Sequence, residues 1–258
     1  VIRRVLPGRA AHRLLRWRNL LVSLAFYQLC RRKPERAKRY LRRGLLRELP
    51  SDIEIDTHFK PRYEPWDQRL CLAPDGDLFQ AMRSGRASVV TDEVETFTPR
   101  GIRLKSGREL PADVIVAATG LNLQAFGGIH LEVDGVSVEP GQCLAYKGLM
   151  LRDVPNCAFC AGYTNASWTL RAELSADYIG RLLRLMDRRG YTRCVPRCDS
   201  DSLQAQPLLP LKSGYIQRGV DIIPKQGSHR PWAMPQNYLL DLLSLRLSGI
   251  EDGALELS

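Results

Sequence analysis

The chain has 258 residues, of which 44% are hydrophobic and 26% charged, so it can bury the core of one large domain or two small ones and is not expected to be disordered. The longest apolar stretch near its start, residues 20–29, is shorter than the roughly 20 residues that span a bilayer. The formal net charge is +10, and residues 1–50 contain 15 Lys and Arg against 2 Glu, so the positive excess belongs to one segment.

Two basic helices are predicted first, over residues 9–31 and 34–49. Leucines and Trp17 recur at helical spacing between arginines, Pro34 suits the first turn of the second helix, and Pro50 ends it. We interpret this pair as the solvated face of an ordinary domain, with peripheral contact to an anionic membrane as the alternative. We expect no nucleic-acid partner, because no recognised nucleic-acid motif accompanies the basic residues.

A loop and a small antiparallel sheet follow. Residues 51–75 contain three prolines and several aromatic residues, which predicts an ordered loop built around rigid turns. From Ala87 the pattern alternates with period two, which is typical of strands. The predicted strands of this meander are residues 87–91, 94–98, 102–105 and 109–110.

The second half of the chain predicts buried strands and two helices. Residues 113–120 (DVIVAATG) are too apolar to alternate and predict a strand buried on both faces. A further strand is expected near residues 157–161, followed by a turn over residues 162–168. An amphipathic helix then runs to Gly190, and a leucine-rich helix over residues 238–247 completes the predicted elements.

The number and spacing of the cysteines indicate the redox state of the thiols. Seven cysteines without dense, even spacing favour reduced thiols in a cytoplasmic protein over a secreted disulfide scaffold. Cys157 and Cys160 form a CxxC motif, but no second pair lies at zinc-ligand spacing. We expect buried core cysteines in preference to a metal or redox site.

Because the chain begins at Val1 without a signal-peptide pattern, we expect it to start inside a longer protein.

Three segments carry a resemblance to a known family. They are residues 61–71 (PRYEPWDQRLC), the hairpins leading into DVIVAATG, and residues 154–170 (VPNCAFCAGYTNASWTL), with an extension into residues 213–227 (SGYIQRGVDIIPKQG). Together, and in this order, they resemble the flavin monooxygenases, and within that family the Baeyer-Villiger branch.

The resemblance implies an α/β fold, the C-terminal part of a flavoprotein with two dinucleotide-binding domains. Residues 1–120 would be the remainder of the NADP-binding domain, with residues 1–50 as a basic helical insertion, and residues 121–258 would complete the FAD-binding domain. Each domain of the family has a GxGxxG loop that places pyrophosphate on a helix N-terminus. Because this chain has no such loop, we expect its partner to be a missing N-terminal half, without which it is inactive and binds little FAD.

The resemblance also implies the activity and its catalytic residues. The activity would be insertion of one O2 oxygen into a ketone, or oxidation of a sulfide, using FAD and NADPH. Arg69 would be catalytic, because a guanidinium stays protonated and offers several donors to a developing oxyanion, and Asp67 would orient it. The alternative for these two residues is an ion pair that only fixes the loop.

Flavin contacts would come from the turn before the long helix, since helix N-termini present free N–H groups and partial positive charge. The predicted cofactor-binding residues are Thr119, Gly120, Gly162, Asn165, Ala166 and Ser167. Ordinary helix capping by Asn165 or Ser167, and a tight strand exit at Thr119 and Gly120, are the structural alternatives. No metal site is expected.

Two other functions remain open at this point. One is a related flavin enzyme that oxygenates nitrogen or sulfur and does not require Arg69. The other, from a different class, is a membrane-surface or interaction module that works through residues 1–50, in which case the cytoplasmic protein would be membrane-associated.

Overall fold

The computed structural model describes residues 7–71, 73–198 and 203–258. The chain divides into two compact units, a larger one of Val1–Gln28 with Asn122–Ser258 and a smaller one of Leu29–Leu121. Helices and antiparallel strands are both present, so the predicted mixed α/β class is confirmed. Among the described helices, none is both long and apolar enough to cross a membrane.

Both basic helices are confirmed. Helix α1 spans Gly8–Arg32 and helix α2 spans Pro34–Glu48. Pro34 occupies the first turn of α2, where its missing N–H removes no hydrogen bond. The helix ends at Leu49, whose extended backbone (φ −88°, ψ 149°) cannot continue it.

The smaller unit has a core of Leu49, Ile55 and Met82. Two short helices that the sequence did not predict carry the latter two residues: α3 at Ile55–His58 and α4 at Asp77–Arg83. Most of residues 51–75 is otherwise irregular, as predicted.

A three-stranded antiparallel sheet completes the smaller unit. Its strands are β1 Val94–Thr98, β2 Gly101–Leu104 and β3 Glu109–Pro111, in the order β1-β2-β3. These confirm three of the four predicted strands. Gly101 adopts φ +153°, and a Cβ there would lie 2.0 Å from the Leu110 carbonyl oxygen, so the turn into β2 requires glycine.

Two predicted strands of this unit are wrong. Residues 87–91 are irregular, and so is the apolar run 113–120. Val114 and Val116 are 80% and 85% exposed, although their composition predicted burial on both faces. A strand of that kind needs a neighbouring strand on each side and a layer over each face, and the described residues of this unit provide neither.

The larger unit is organised by the long helix α5, Trp168–Arg189. Its inner face buries Leu174, Tyr178 and Leu182 against Tyr146 and Leu245. The helix ends at Gly190, which takes the left-handed conformation (φ +72°) and donates its N–H to the Met186 carbonyl. The predicted helix and its glycine stop are both confirmed.

The larger unit also contains four short antiparallel strand pairs, and a last helical segment packs on α5. The strands pair as β4 Leu131–Val133 with β5 Val136–Val138, β6 Ala145–Tyr146 with β7 Met150–Leu151, β8 Cys194–Pro196 with β11 Leu255–Leu257, and β9 Gln206–Pro207 with β10 Lys225–Gln226. Besides the five-residue helix α6, Gly214–Arg218, the unit contains α7, Tyr238–Asp241, which continues as π-helix through Leu242–Leu247 and confirms the predicted leucine-rich helix.

The CxxC segment differs from its prediction. Residues 157–161 form no strand and make a single isolated bridge, from Ala158 to Met150. Cys157 is half-buried and Cys160 is exposed, so the expectation of two buried core thiols is wrong. Burial raises the pKa of Cys157 above its ordinary value, which keeps that thiol protonated at neutral pH.

Removing a core side chain from α5 tests this packing. We expect Leu174→Ala to lower the free energy of unfolding by about 2–5 kcal/mol, because the fully buried side chain leaves a cavity. The matched control is Leu183→Ala on the same helix, where the leucine is 55% exposed and we expect a loss of less than about 1 kcal/mol. Urea denaturation measures both, and equal losses would contradict the assignment of the buried face.

Candidate functional site

The turn before α5 is the buried part of the predicted site. Gly162 and Asn165 are buried, Ala166 is half-buried and Ser167 is exposed. These four predicted flavin-contact residues therefore run from the core to the surface, ending where α5 begins. A Cβ on Gly162 would lie 2.2 Å from Cγ of Trp168, so the chain can pass beneath this indole only as glycine.

Gln236 fixes the shape of the turn from a distant part of the sequence. Its Oε1 accepts hydrogen bonds from the Thr164 backbone N–H (2.9 Å) and hydroxyl (3.0 Å). Its backbone carbonyl accepts from Nδ2 of Asn165 at 2.8 Å. Because Gln236 takes a positive φ of 49°, its main chain and side chain can both reach the turn. Sequence reasoning missed this residue.

A buried ion pair lies directly below the turn. Arg171 of α5 pairs with Asp241 of α7, and the Tyr163 hydroxyl donates to the same carboxylate oxygen at 2.7 Å. Arg171 also donates to the Lys147 carbonyl. Burial, and then the Asp241 carboxylate, raise the pKa of Tyr163 above its ordinary range, so the phenol remains protonated and continues to donate.

The N-terminus of α5 carries no side-chain cap. Ser167 occupies the cap position, but its hydroxyl contacts the Thr169 hydroxyl (2.8 Å) and no first-turn N–H. Asn165 is engaged with Gln236 instead. The alternative of ordinary capping by Asn165 or Ser167 is therefore wrong, and the first-turn N–H groups keep their capacity to bind an acceptor.

Polar atoms around the turn are buried without a partner among the described residues. They are Oδ1 of Asn165, Nε2 of Gln236 and Nε of Arg171. Buried polar groups are normally hydrogen-bonded, and each exception calls for an explanation such as a ligand or an ordered water. One acceptor and two donors thus lie buried beside this turn.

A groove of about 650 Å³ opens beside the same turn, within the larger unit. Ala166, Ser167 and Thr169 line one side, and Arg16 and Arg18 of α1 line the other. Arg16 is held by Glu173 of α5, and this contact raises the pKa of Arg16. The groove therefore combines a helix N-terminus with Arg18, while Glu173, which also lines it, neutralises Arg16.

Arg69 and Asp67 lie in the smaller unit, on a loop fixed by ion pairs to the basic helices. Asp67 accepts from Arg31 at 3.0 Å, and Glu64 accepts from Lys38 at 2.7 Å. Arg69 is exposed, and the described residues offer it no ion-pair partner. Asp67 is thus paired with Arg31 and not with Arg69, so the loop is held while the Arg69 guanidinium stays available.

Thr119 and Gly120 follow the exposed apolar run in the smaller unit. Both are exposed, and Gly120 adopts φ +112°, which only glycine takes readily. No strand precedes them, so the alternative of a tight strand exit is wrong. The predicted site residues therefore fall into two groups: Arg69, Asp67, Thr119 and Gly120 in the smaller unit, and the turn residues in the larger.

Comparison with curated proteins identifies relatives along nearly the whole chain. The FAD-containing monooxygenase EthA of Mycobacterium tuberculosis is 46% identical over 254 residues, 98% of this chain and 52% of that protein. The putative FAD-containing monooxygenase MymA of the same species is 46% identical over 256 residues, 99% of this chain and 52% of MymA. The chain is homologous to the FAD-containing monooxygenases. A relative from another genus, the probable FAD-binding monooxygenase AlmA of Acinetobacter baylyi, is 45% identical over 255 residues, 98% of this chain and 51% of AlmA.

These matches confirm the resemblance to flavin monooxygenases. The chain spans about half the length of the curated relatives it matches. No protein-family model matches it, and no solved structure does. The Baeyer-Villiger branch, NADPH and the roles of individual residues stay predictions.

The residues present fit one end of FAD and not the other. The uncapped N-terminus of α5 suits an electron-rich ring edge such as the flavin pyrimidine. A pyrophosphate needs a glycine-rich cradle, and this chain contains no Gly-x-Gly sequence. The chain therefore has a helix N-terminus that fits a flavin ring edge, but it lacks the family's glycine-rich cradle for the dinucleotide phosphates.

Gly162→Ala tests whether the turn is as tight as its geometry indicates. We expect a loss of about 1–3 kcal/mol in unfolding free energy, because the new methyl group forces Trp168 away. Gly180→Ala on the outer side of α5 is the matched control, since its Cβ meets nothing within 4 Å and helix propensity predicts a gain of up to about 1 kcal/mol. Thermal unfolding measures the stability of both variants. An unchanged stability of Gly162→Ala would contradict the close approach of Gly162 to the Trp168 side chain.

Proposed function

We propose that this chain is part of a flavin-dependent monooxygenase that uses FAD and NADPH to insert one oxygen atom of O2 into a ketone or to oxidise a sulfide. Homology to FAD-containing monooxygenases supports the class of reaction. The observation that carries the finer proposal is the exposed Arg69, unpaired within the described residues and mounted on a loop that Arg31 and Lys38 hold in place.

FAD, once bound and reduced by NADPH, supplies the oxygen-activating chemistry. The chain's own residues provide positive potential around it. Arg69 would donate to the negative charge that develops on the substrate oxygen, where a permanently charged guanidinium is effective. First-turn N–H groups of α5 would stabilise negative charge on the flavin ring, and Asn165, which donates to the Gln236 carbonyl, would hold the turn that presents them.

The remainder of the enzyme would come from an N-terminal half, supplying the glycine-rich cradles that this chain lacks. The exposed apolar side chains of Val114 and Val116 support this proposal, since exposed apolar surface marks a place where another part of a protein packs. Alone, the chain would be inactive.

Arg69→Ala in the complete enzyme tests the assignment of the reaction. We expect ketone oxygenation to fall about 100-fold or more, the usual effect of losing a donor to a developing oxyanion, while NADPH oxidation persists. Arg62→Ala, another exposed arginine of the same loop, is the control and should retain ester formation. Measuring the rates of ester formation and NADPH oxidation in both variants distinguishes loss of ketone oxygenation from loss of flavin reduction.

Unchanged ester formation in Arg69→Ala would reject the role of Arg69. Loss of ketone turnover with sulfide or amine oxygenation intact would limit Arg69 to the Baeyer-Villiger step. An enzyme that never oxygenates ketones but oxidises nitrogen or sulfur nucleophiles would support the alternative class of flavin monooxygenase.

A further inference from the structure

Helix α2 carries a row of arginines that form no ion pair with the described residues. Arg36, Arg39, Arg43 and Arg47 follow one another at spacings of three and four residues, which places them on one helical face about 16 Å long. We call this row the arginine stripe. All four residues are exposed, and within the described part of the chain no carboxylate pairs with any of them.

The acids nearest the stripe are engaged elsewhere. The only acidic residues of α2 are Glu35, which pairs with Lys38 at 2.9 Å, and Glu48, which pairs with Arg83 at 3.0 Å. Basic residues beside the stripe have partners within the smaller unit, as Arg42 does with Asp56. The stripe is therefore a concentration of positive charge without an ion pair among the described residues.

Exposed apolar side chains border the stripe on both sides. Tyr40 is 66% exposed and Leu46 is 56% exposed. The opposite face of α2 is the one that packs inward, through Ala37 and Leu45. The outward face thus combines guanidinium groups with a tyrosine and a leucine, a composition typical of helices that lie at a membrane surface.

The part of helix α1 that belongs to the larger unit independently exposes a similar mixture. Leu14, Trp17 and Leu21 are exposed at spacings of three and four residues, and Arg13 and Arg18 are exposed among them. Tryptophan and tyrosine are the residues that favour the water–lipid boundary. Each of the two successive helices therefore exposes both basic and apolar groups.

From this arrangement we propose that the arginine stripe of α2 binds the surface of a membrane rich in anionic phospholipids. The guanidinium groups contact lipid phosphates and carboxylates, and Tyr40 and Leu46 enter the headgroup layer. A nucleic acid would satisfy the arginines but would leave the two apolar side chains exposed to water, so the lipid surface fits the face better. This proposal is independent of the flavin chemistry.

Vesicle binding tests the proposal on the purified 258-residue chain. Vesicles of phosphatidylcholine with phosphatidylserine should carry the chain in a flotation assay, and vesicles of phosphatidylcholine alone should not. Binding should weaken as the salt concentration rises from about 0.15 M to about 1 M, because the screening length falls from roughly 8 to 3 Å. Equal flotation with both vesicle types, or binding unaffected by salt, overturns the proposal.

Removing charges from the arginine stripe tests whether the stripe is responsible for vesicle binding. In the triple variant Arg36→Gln, Arg43→Gln, Arg47→Gln we expect affinity for anionic vesicles to fall about 100-fold, since each basic residue near such a surface contributes about 1 kcal/mol. The control removes equal charge from exposed arginines of the β1–β3 sheet: Arg100→Gln, Arg103→Gln, Arg108→Gln. Far-UV circular dichroism of both variants verifies folding.

Three further results would overturn the proposal: equal losses in the two triple variants, no loss in the α2 variant, or tighter binding to duplex DNA than to anionic vesicles. If a triple variant does not fold, the dependence of wild-type binding on lipid composition and on salt concentration still tests the proposal.

Discussion

The buried ion pair between Arg171 and Asp241 is the interaction on which the candidate site depends. Arg171 is only 1% exposed and Asp241 only 3%, and charges so deeply buried are stable only when hydrogen bonds complete their coordination. Tyr163 supplies such a bond from the turn, and the Lys147 carbonyl supplies another from the loop after β6. One buried pair thus joins α5, α7, the turn and that loop.

This constraint explains why the turn has a defined shape without helix-capping side chains. With Tyr163 held from below and Thr164 and Asn165 held by Gln236, the backbone arrives at Ser167 in a fixed direction. The N–H groups at the start of α5 can then stay uncapped. Leaving donors unsatisfied costs stability unless a ligand or solvent meets them, and in the proposed enzyme a flavin ring would do so.

Local patterns in the sequence predicted a large part of the fold. Helices α1, α2 and α5 could be predicted because amphipathic spacing, Pro34 and Gly190 determine helices within a few residues. Strands β1 to β3 could be predicted because alternation and tight turns are equally local signals. The strands predicted over residues 113–120 and 157–161 were wrong. An apolar run becomes a buried strand only where other elements cover it, and a local sequence pattern contains no information about those elements.

The candidate site was less predictable than the fold. The turn residues were found through resemblance, but Gln236 and Asp241 lie about 70 residues further along the chain, and neither belongs to a motif. Only the tertiary structure brings them to Thr164 and Arg171. The same holds for Asp67, whose partner Arg31 is on α1 and not in its own loop.

Amide hydrogen exchange in Asp241→Asn tests most directly whether the buried pair holds the turn. We expect the amide of Thr164 and its neighbours in the turn to lose protection by more than about tenfold, while the amides of β1 to β3 in the other unit keep theirs. Asp187→Asn on the exposed side of α5 should change neither set. Unchanged protection of the turn in Asp241→Asn would contradict the account.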